Sequence, residues 1–150
     1  MRKEIIGFRV ILGNRVDNNE NILNQVGDRM SKEIRSYKDL IAYQKAYELA
    51  LKIYKVTKDF PKIEQFGLVS QMRRASVSIP SNIAEGYRRK HRKEYIQFLN
   101  IAYGSSGELE TQLSLSHDLT MLDDNNFNSL QGLNEEVSKL LFKLIKSLKQ

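Results

Sequence analysis

From Ser36 onward the apolar residues of this chain recur every three or four positions, segment after segment, and that period selects helices over strands. Two adjacent stripes run through the first segment. One is Leu40, Tyr43, Tyr47, Ala50, Tyr54 and Thr57; the other is Ala42, Ala46, Leu49, Ile53, Val56 and Phe60. Lys45, Glu48, Lys52, Lys55 and Asp59 form the outer stripe, with Glu48 and Lys52 spaced for an i,i+4 pair. Such a face is wider than one antiparallel neighbour needs. The ordinary reading is a bundle helix touching two neighbours; the sharper reading gives part of the face to an oligomer interface.

A second helix is read from Pro61, whose missing N–H costs nothing in a first turn that Glu64 also suits. Its apolar positions are Phe66, Val69, Met72, Ser76, Ile79 and Ile83, and Pro80 predicts a kink or break near residues 78–81. Gly86 weakens this helix just before a run of basic residues. The third helix is read from about Arg92 to Leu119, with Tyr95, Leu99, Ala102, Ser106, Leu109, Leu113 and Ser116 on one face. Gly104 and Gly107 lie inside it, at a cost of about 1 kcal/mol each relative to alanine. The period holds phase from Leu99 to Leu113, so the expectation is that these small residues let another backbone approach. Asp123, Asp124 and Asn125 offer N-caps for a fourth helix with the stripe Phe127, Leu130, Val137, Leu140, Leu141, Leu144 and Leu148. Lysines 139, 143, 146 and 149 crowd its C-terminal half, where the helix dipole favours cations.

The expected fold is therefore all-α: an antiparallel up-down four-helix bundle over residues 36–150, with the second helix kinked near Pro80. Residues 1–35 read as an N-terminal extension. Their apolar run Ile5–Leu12 and polar cluster Asp17–Asn21 suit either a strand and short helix or a loosely ordered tail.

The sequence excludes several chemistries. With 0 Cys there is no disulfide scaffold, thiolate metal site or cysteine nucleophile. No stretch approaches the ~20 apolar residues of a membrane span. Arg9 interrupts the first apolar run and no small-residue cleavage site follows, so a soluble cytoplasmic protein is expected. A di-iron bundle site needs Glu-x-x-His motifs, yet the 2 histidines, His91 and His117, have no Glu three residues before them. Ser116, His117 and Asp118 are neighbours that a helix points in different directions, which rules out a triad. Glu108 and Glu110 leave opposite sides of a helix, and the Gly104–Gly107 segment lacks the lysine of a phosphate loop. The expectation is a protein that is not an enzyme and holds no metal or cofactor.

Charge is the remaining signal. The chain carries 24 Lys and Arg against 18 Asp and Glu, a formal net charge of +6. Most of the excess falls between Gln71 and Tyr95, where Arg73, Arg74, Arg88, Arg89, Lys90, Arg92 and Lys93 face only Glu85 and Glu94. From Ile96 to Glu136 there is no Lys or Arg, while Glu108, Glu110, Asp118, Asp123, Asp124, Glu135 and Glu136 are acidic. Such asymmetry means either an anion-binding surface or a basic helix folded on an acidic one. For Arg73 and Arg74 both readings stand. Residues 88–93, flanked by Tyr87 and Tyr95, are too dense to be absorbed internally and suit phosphate contact with aromatic stacking. If the first two helices form a hairpin, Lys55, Lys58 and Lys62 are expected near the same bundle end.

Three segments also resemble a known family. Gly67-Leu68, the run Gln71-Met-Arg-Arg-Ala-Ser-Val-Ser-Ile-Pro-Ser-Asn-Ile-Ala-Glu-Gly86 and the run Gly104-Ser-Ser-Gly-Glu-Leu-Glu-Thr-Gln-Leu113 are similar to the signature of the 23S rRNA-intervening-sequence, or S23, family of four helix bundle proteins. Leu40-Ile-Ala-Tyr-Gln-Lys-Ala46 and Phe60-Pro61 look like it too, so the likeness spans about Tyr37 to the C-terminus. The resemblance implies a bundle that assembles into a barrel-like homopentamer. A relative is the accessory variability protein of diversity-generating retroelements, which binds nucleic acid and a reverse transcriptase. It makes the first helix's wide face an assembly surface and the Pro80 kink a family trait. It also favours internal pairing of Arg73 and Arg74 with Glu108 or Glu110.

The functional expectation is a non-enzymatic homo-oligomer that binds RNA or DNA backbone through Arg88, Arg89, Lys90, Arg92 and Lys93. The alternative is an adaptor whose basic surface docks an acidic protein such as a reverse transcriptase, without nucleic acid of its own.

Overall fold

The structure is a computed structural model that describes residues 34–150, and those residues are helical with no strands. Most of them lie in four long helices: α1, Ile41–Val56; α2, Leu68–Tyr87; α3, Arg92–Asp118; and α4, Asp124–Lys149. The reading of residues 1–35 as an extension falls almost wholly outside the described residues.

Local chemistry sets the boundaries. Ser36 and Asp39 form a capping box around a 3₁₀ turn, Tyr37–Asp39, which hands over to α1 at Leu40. Asp123 caps α4 by accepting from the Asn126 N–H at 2.8 Å. The second helix begins later than Pro61. Pro61 leads instead into a 3₁₀ turn, Lys62–Glu64, and the Glu64 carboxylate accepts from the Leu68 N–H at 3.1 Å, fixing the α2 start beyond Gly67. This delay turns Phe66 out to solvent, 92% exposed, although its spacing had placed it in the core. At Pro80 the helix runs on without a break, so of the two expected outcomes, kink or break, the break is excluded. The Asn82 amide donates to the Ser78 carbonyl at 2.8 Å, a side-chain bond near the place where a backbone donor is missing.

Each helix packs on two others in the cyclic order α1–α2–α3–α4, with the α2–α3 seam the most extensive. Along it Arg74 meets Glu108, Ser78 meets Ser105 and Gly86 meets Tyr95 and Phe98, so residue numbers rise on one helix as they fall on the other. On the next seam Ser138 meets Ser106, and Arg92 at the start of α3 meets Leu148 at the end of α4. The interior is the union of the inner stripes: Leu49, Ile53, Met72, Ile79, Ile83, Leu99, Leu109, Leu113, Leu130, Val137 and Leu141 are fully buried. Removing each from water is worth roughly 1.5–3 kcal/mol, and this burial holds the helices side by side.

The α3 interior also carries a polar seam. Ser78 and Ser105 hydroxyls lie 2.9 Å apart, Ser106 and Ser138 lie 2.8 Å apart, and the buried Asn134 amide donates to the Ser106 carbonyl at 2.9 Å. The expectation for the glycines is corrected here. A Cβ built on Gly104 or Gly107 meets nothing within 4 Å, whereas on Gly86 it lies 2.8 Å from the Phe98 Cβ and 2.9 Å from the Tyr95 ring. The close helix approach is made by Gly86, and Gly104 and Gly107 face outward.

Candidate nucleic-acid interface

The helix order decides where each charge goes. With α1 and α2 joined at residues 57–67, the α2–α3 turn emerges at the opposite end of the bundle. The basic run makes up that turn: α2 ends at Tyr87, α3 begins at Arg92, and residues 88–93 are all exposed. Contacts fix its neighbours. The Arg88 guanidinium lies 5.4 Å above the Tyr37 ring, Tyr37 packs edge-on to Tyr87 at 6.4 Å, and Arg92 Nε donates to the Leu148 carbonyl. Among the described residues the end therefore collects Lys38, Arg88, Arg89, Lys90, Arg92, Lys93, Lys146 and Lys149, with Asp39, Glu85 and Glu94 as its acids.

Lys55, Lys58 and Lys62 are at the other end, contrary to the expectation that a hairpin of the first two helices would bring them near the run. A hairpin joins the end of α1 to the start of α2, and Arg88 is one full helix away. Those lysines share their end with Asp59, Glu64, Asp118, Asp123 and Asp124. The bundle thus has one strongly basic end and one mixed end.

Within the run the five singled-out cations differ. Arg89 pairs with Glu85 one turn back and lies 4.6 Å over the Phe98 ring; Arg92 is held on the Leu148 carbonyl, where the C-terminal dipole of α4 favours it. These two are not surplus charges, because a turn between two helices sets them beside the preceding helix and the end of α4. Arg88 touches only the Tyr37 face, and Lys90 and Lys93 have no partner among the described residues. Around them α3 begins without a side-chain cap on His91, and the first backbone bond of that helix is from the Tyr95 N–H to the His91 carbonyl. The preceding N–H groups at its start are open at a positive dipole end, the arrangement that binds phosphate.

The residues weighed as internal pairs sit on the flank, away from this end. Arg74 pairs with Glu108 at 2.9 Å across the α2–α3 seam. Arg73 takes another route: its Nε donates to the Thr57 hydroxyl at 2.9 Å and its guanidinium lies 4.8 Å over the Tyr54 ring. Glu110 is exposed and makes no ion pair among the described residues.

Two surface features take their shape only from the packing, although the sequence had offered the wide face of the first helix as an assembly surface. One is a tyrosine cluster under the basic turn, in which Tyr37 meets Tyr43 at 4.9 Å and Tyr87 meets Tyr95 at 6.2 Å. Burial and the neighbouring Tyr87 push the Tyr95 hydroxyl well above the ordinary phenol range. The other is an apolar groove of about 390 Å³ along α1 and α2, with Tyr43, Tyr47, Leu51, Tyr54, Val77 and Pro80 on its walls. Its signal was the second stripe of the first helix: the stripe through Ala42, Ala46, Leu49 and Ile53 is buried, while Tyr47 and Tyr54 of the other are exposed.

His117 closes the opposite end. Its Nε2 lies 2.7 Å from the Asp124 carboxylate and its ring stacks on Phe127 at 4.4 Å. The bond to Asp124 raises its pKa, against a smaller opposing effect of burial. No group of three or more His, Cys, Asp or Glu side chains among the described residues is placed to hold a metal, and no described helix is long and apolar enough to cross a membrane.

Residues 38–143 match the model of a family described as 23S rRNA-intervening sequence protein. Among solved structures the chain is similar to a protein of unknown function from the S23 ribosomal protein family of Bacteroides thetaiotaomicron. The two share 29% identity and a TM-score of 0.67, over 73% of this chain and 98% of that one. No curated protein matches.

Proposed function

The chain belongs to the 23S rRNA-intervening sequence protein family, and from that premise we propose that it is a non-catalytic bundle that binds the phosphate backbone of RNA or DNA with its basic end. The observation that carries this is the α2–α3 turn itself. Lys90, Lys93 and Arg88 project there without carboxylate partners around an uncapped helix start, on an end where cations far outnumber acids. Cations in this setting gain affinity by releasing counterions from the polyanion. Contacts from one turn reach phosphates rather than base edges, so binding is expected to be tolerant of sequence. Arg89 and Arg92 shape the surface by holding the turn against Phe98 and the end of α4.

Self-association is part of the reading. The α1–α2 groove leaves Tyr47, Leu51 and Tyr54 exposed, and a second copy that covers them would remove from water the apolar surface the bundle does not bury itself.

The test is a titration of the full chain with a labelled oligonucleotide at rising salt, alongside capture from lysate with and without nuclease. The expected result is affinity that falls steeply with salt and is lost when Lys90 and Lys93 are both changed to Glu. Salt-independent affinity, or a protein partner retained after nuclease in the absence of any oligonucleotide binding, would favour the adaptor reading and overturn this one.

A further inference from the structure

Beside the unpartnered lysines lies an open cavity of about 370 Å³ lined by Tyr37, Ala84, Glu85, Arg88 and Arg89. Resting on the reading of the basic end as a nucleic-acid surface, we propose that its substrate is single-stranded, with one unpaired base seated in this cavity on the Tyr37 ring.

The cavity has the parts that such a base requires. Tyr37 offers an aromatic face, and the ring is braced edge-on by Tyr43 at 4.9 Å and by Tyr87 at 6.4 Å, so it is a fixed platform. What lies over it is the Arg88 guanidinium at 5.4 Å, an exposed cation on a flexible stem that moves aside for a base or closes over it. Among the described residues the one carboxylate on the wall, Glu85, is paired with Arg89, which offsets its repulsion of a polyanion. Lys90 and Lys93 follow on the same turn, where phosphates flanking a seated base would pass.

A paired duplex uses these parts poorly. Its bases are stacked on one another, so a duplex lying on the turn engages the lysines and leaves Tyr37 idle. A single strand engages both, and stacking on an aromatic side chain adds to the electrostatic term without demanding a sequence.

The experiment compares an unstructured 12-nucleotide strand with a duplex of the same sequence, by fluorescence anisotropy on the full chain and on its Tyr37→Leu and Tyr37→Phe variants. The expected result is a single strand bound at least tenfold tighter than the duplex. Tyr37→Leu should weaken the single strand about tenfold and leave the duplex unchanged, as loss of one stacked base implies. Tyr37→Phe keeps the ring and should keep the affinity. Thermal unfolding and native mass spectrometry of each variant separate stacking from folding or assembly. Equal affinity for both forms, equal loss on both with Tyr37→Leu, or loss with Tyr37→Phe overturns the single-strand inference while leaving the basic-end reading intact. Absence of binding by either form at low salt overturns the basic-end reading itself.

Discussion

Gly86 and Gly104 are both helical glycines without positive φ, so alanine costs neither of them any backbone strain, yet the structure predicts opposite outcomes. In a helix interior the exchange gains about 1 kcal/mol from reduced chain entropy alone. At Gly104 the new methyl meets nothing within 4 Å, so the gain is collected in full. At Gly86 the methyl would stand 2.8 Å from the Phe98 Cβ and 3.3 Å from the Tyr95 carbonyl, and α2 and α3 have to separate at their closest point. Overpacking of that kind costs about 1–3 kcal/mol, which cancels or exceeds the helical gain. Urea denaturation followed by circular dichroism reads both variants. Gly104→Ala should raise stability by about 1 kcal/mol, while Gly86→Ala should lower it by up to about 2 kcal/mol. Because Gly86 stands two residues before Arg88, its variant should also disturb the basic turn. A stabilised Gly86→Ala would refute the close approach. A destabilised Gly104→Ala would mean that the outer face of α3 is occupied by something outside the described residues.

Three further outcomes concern His117, Thr120 and the groove on α1. His117 has a folded pKa above its unfolded one because Asp124 stabilises the imidazolium, so its contribution is complete below the ordinary histidine pKa and disappears as pH rises through the raised value. The urea midpoint should therefore decline as pH rises above the ordinary histidine pKa and through the raised one, and His117→Gln should flatten that decline; an unchanged slope would remove the Asp124 bond from the account. Thr120 is a β-branched residue at φ 59°, and Thr120→Asn should stabilise the α3–α4 turn by about 1 kcal/mol in the same assay, with a loss contradicting the strain argument. Tyr47→Glu combined with Leu51→Glu should dissociate the self-assembled chain in native mass spectrometry, and a wild-type chain that is already monomeric would refute the covered groove.

The helices were legible because their apolar stripes repeat with the helical period, and the buried positions of α3 and α4 follow those stripes closely. Interactions that cross between helices were less so. The period continued through Phe66 because periodicity is blind to a Glu64 carboxylate that caps the next helix and delays its start. Pro80 read as a kink or break because a backbone donor is lost there; the helix continues through it, with Ile79, Pro80 and Ile83 buried in the core. Glycine spacing alone could not tell a close approach from open solvent, and only the packing of Tyr95 and Phe98 makes Gly86 the tight one. In the site, the density of cations between Arg88 and Lys93 was plain from the sequence. Which of them are tied down was not, since Arg92 meets a carbonyl 56 residues away. Tyr37 was invisible as a site residue for the same reason: its value comes from lying beside Tyr43, Tyr87 and Arg88.

The central claim is that one end of the bundle, rather than the net charge of +6, binds nucleic acid. The direct measurement is the slope of log affinity against log salt for a single-stranded oligonucleotide. It compares the wild type with Lys90→Ala/Lys93→Ala at the basic end and Lys58→Ala/Lys62→Ala at the other, two variants with the same loss of charge. With each neutralised phosphate contributing about 0.7 to the slope on a single strand, contacts from Arg88, Lys90 and Lys93 predict a wild-type slope of about −2. The basic-end pair should reduce its magnitude by about 1.4, and the other pair should leave it unchanged. Equal reductions from the two pairs would contradict the claim.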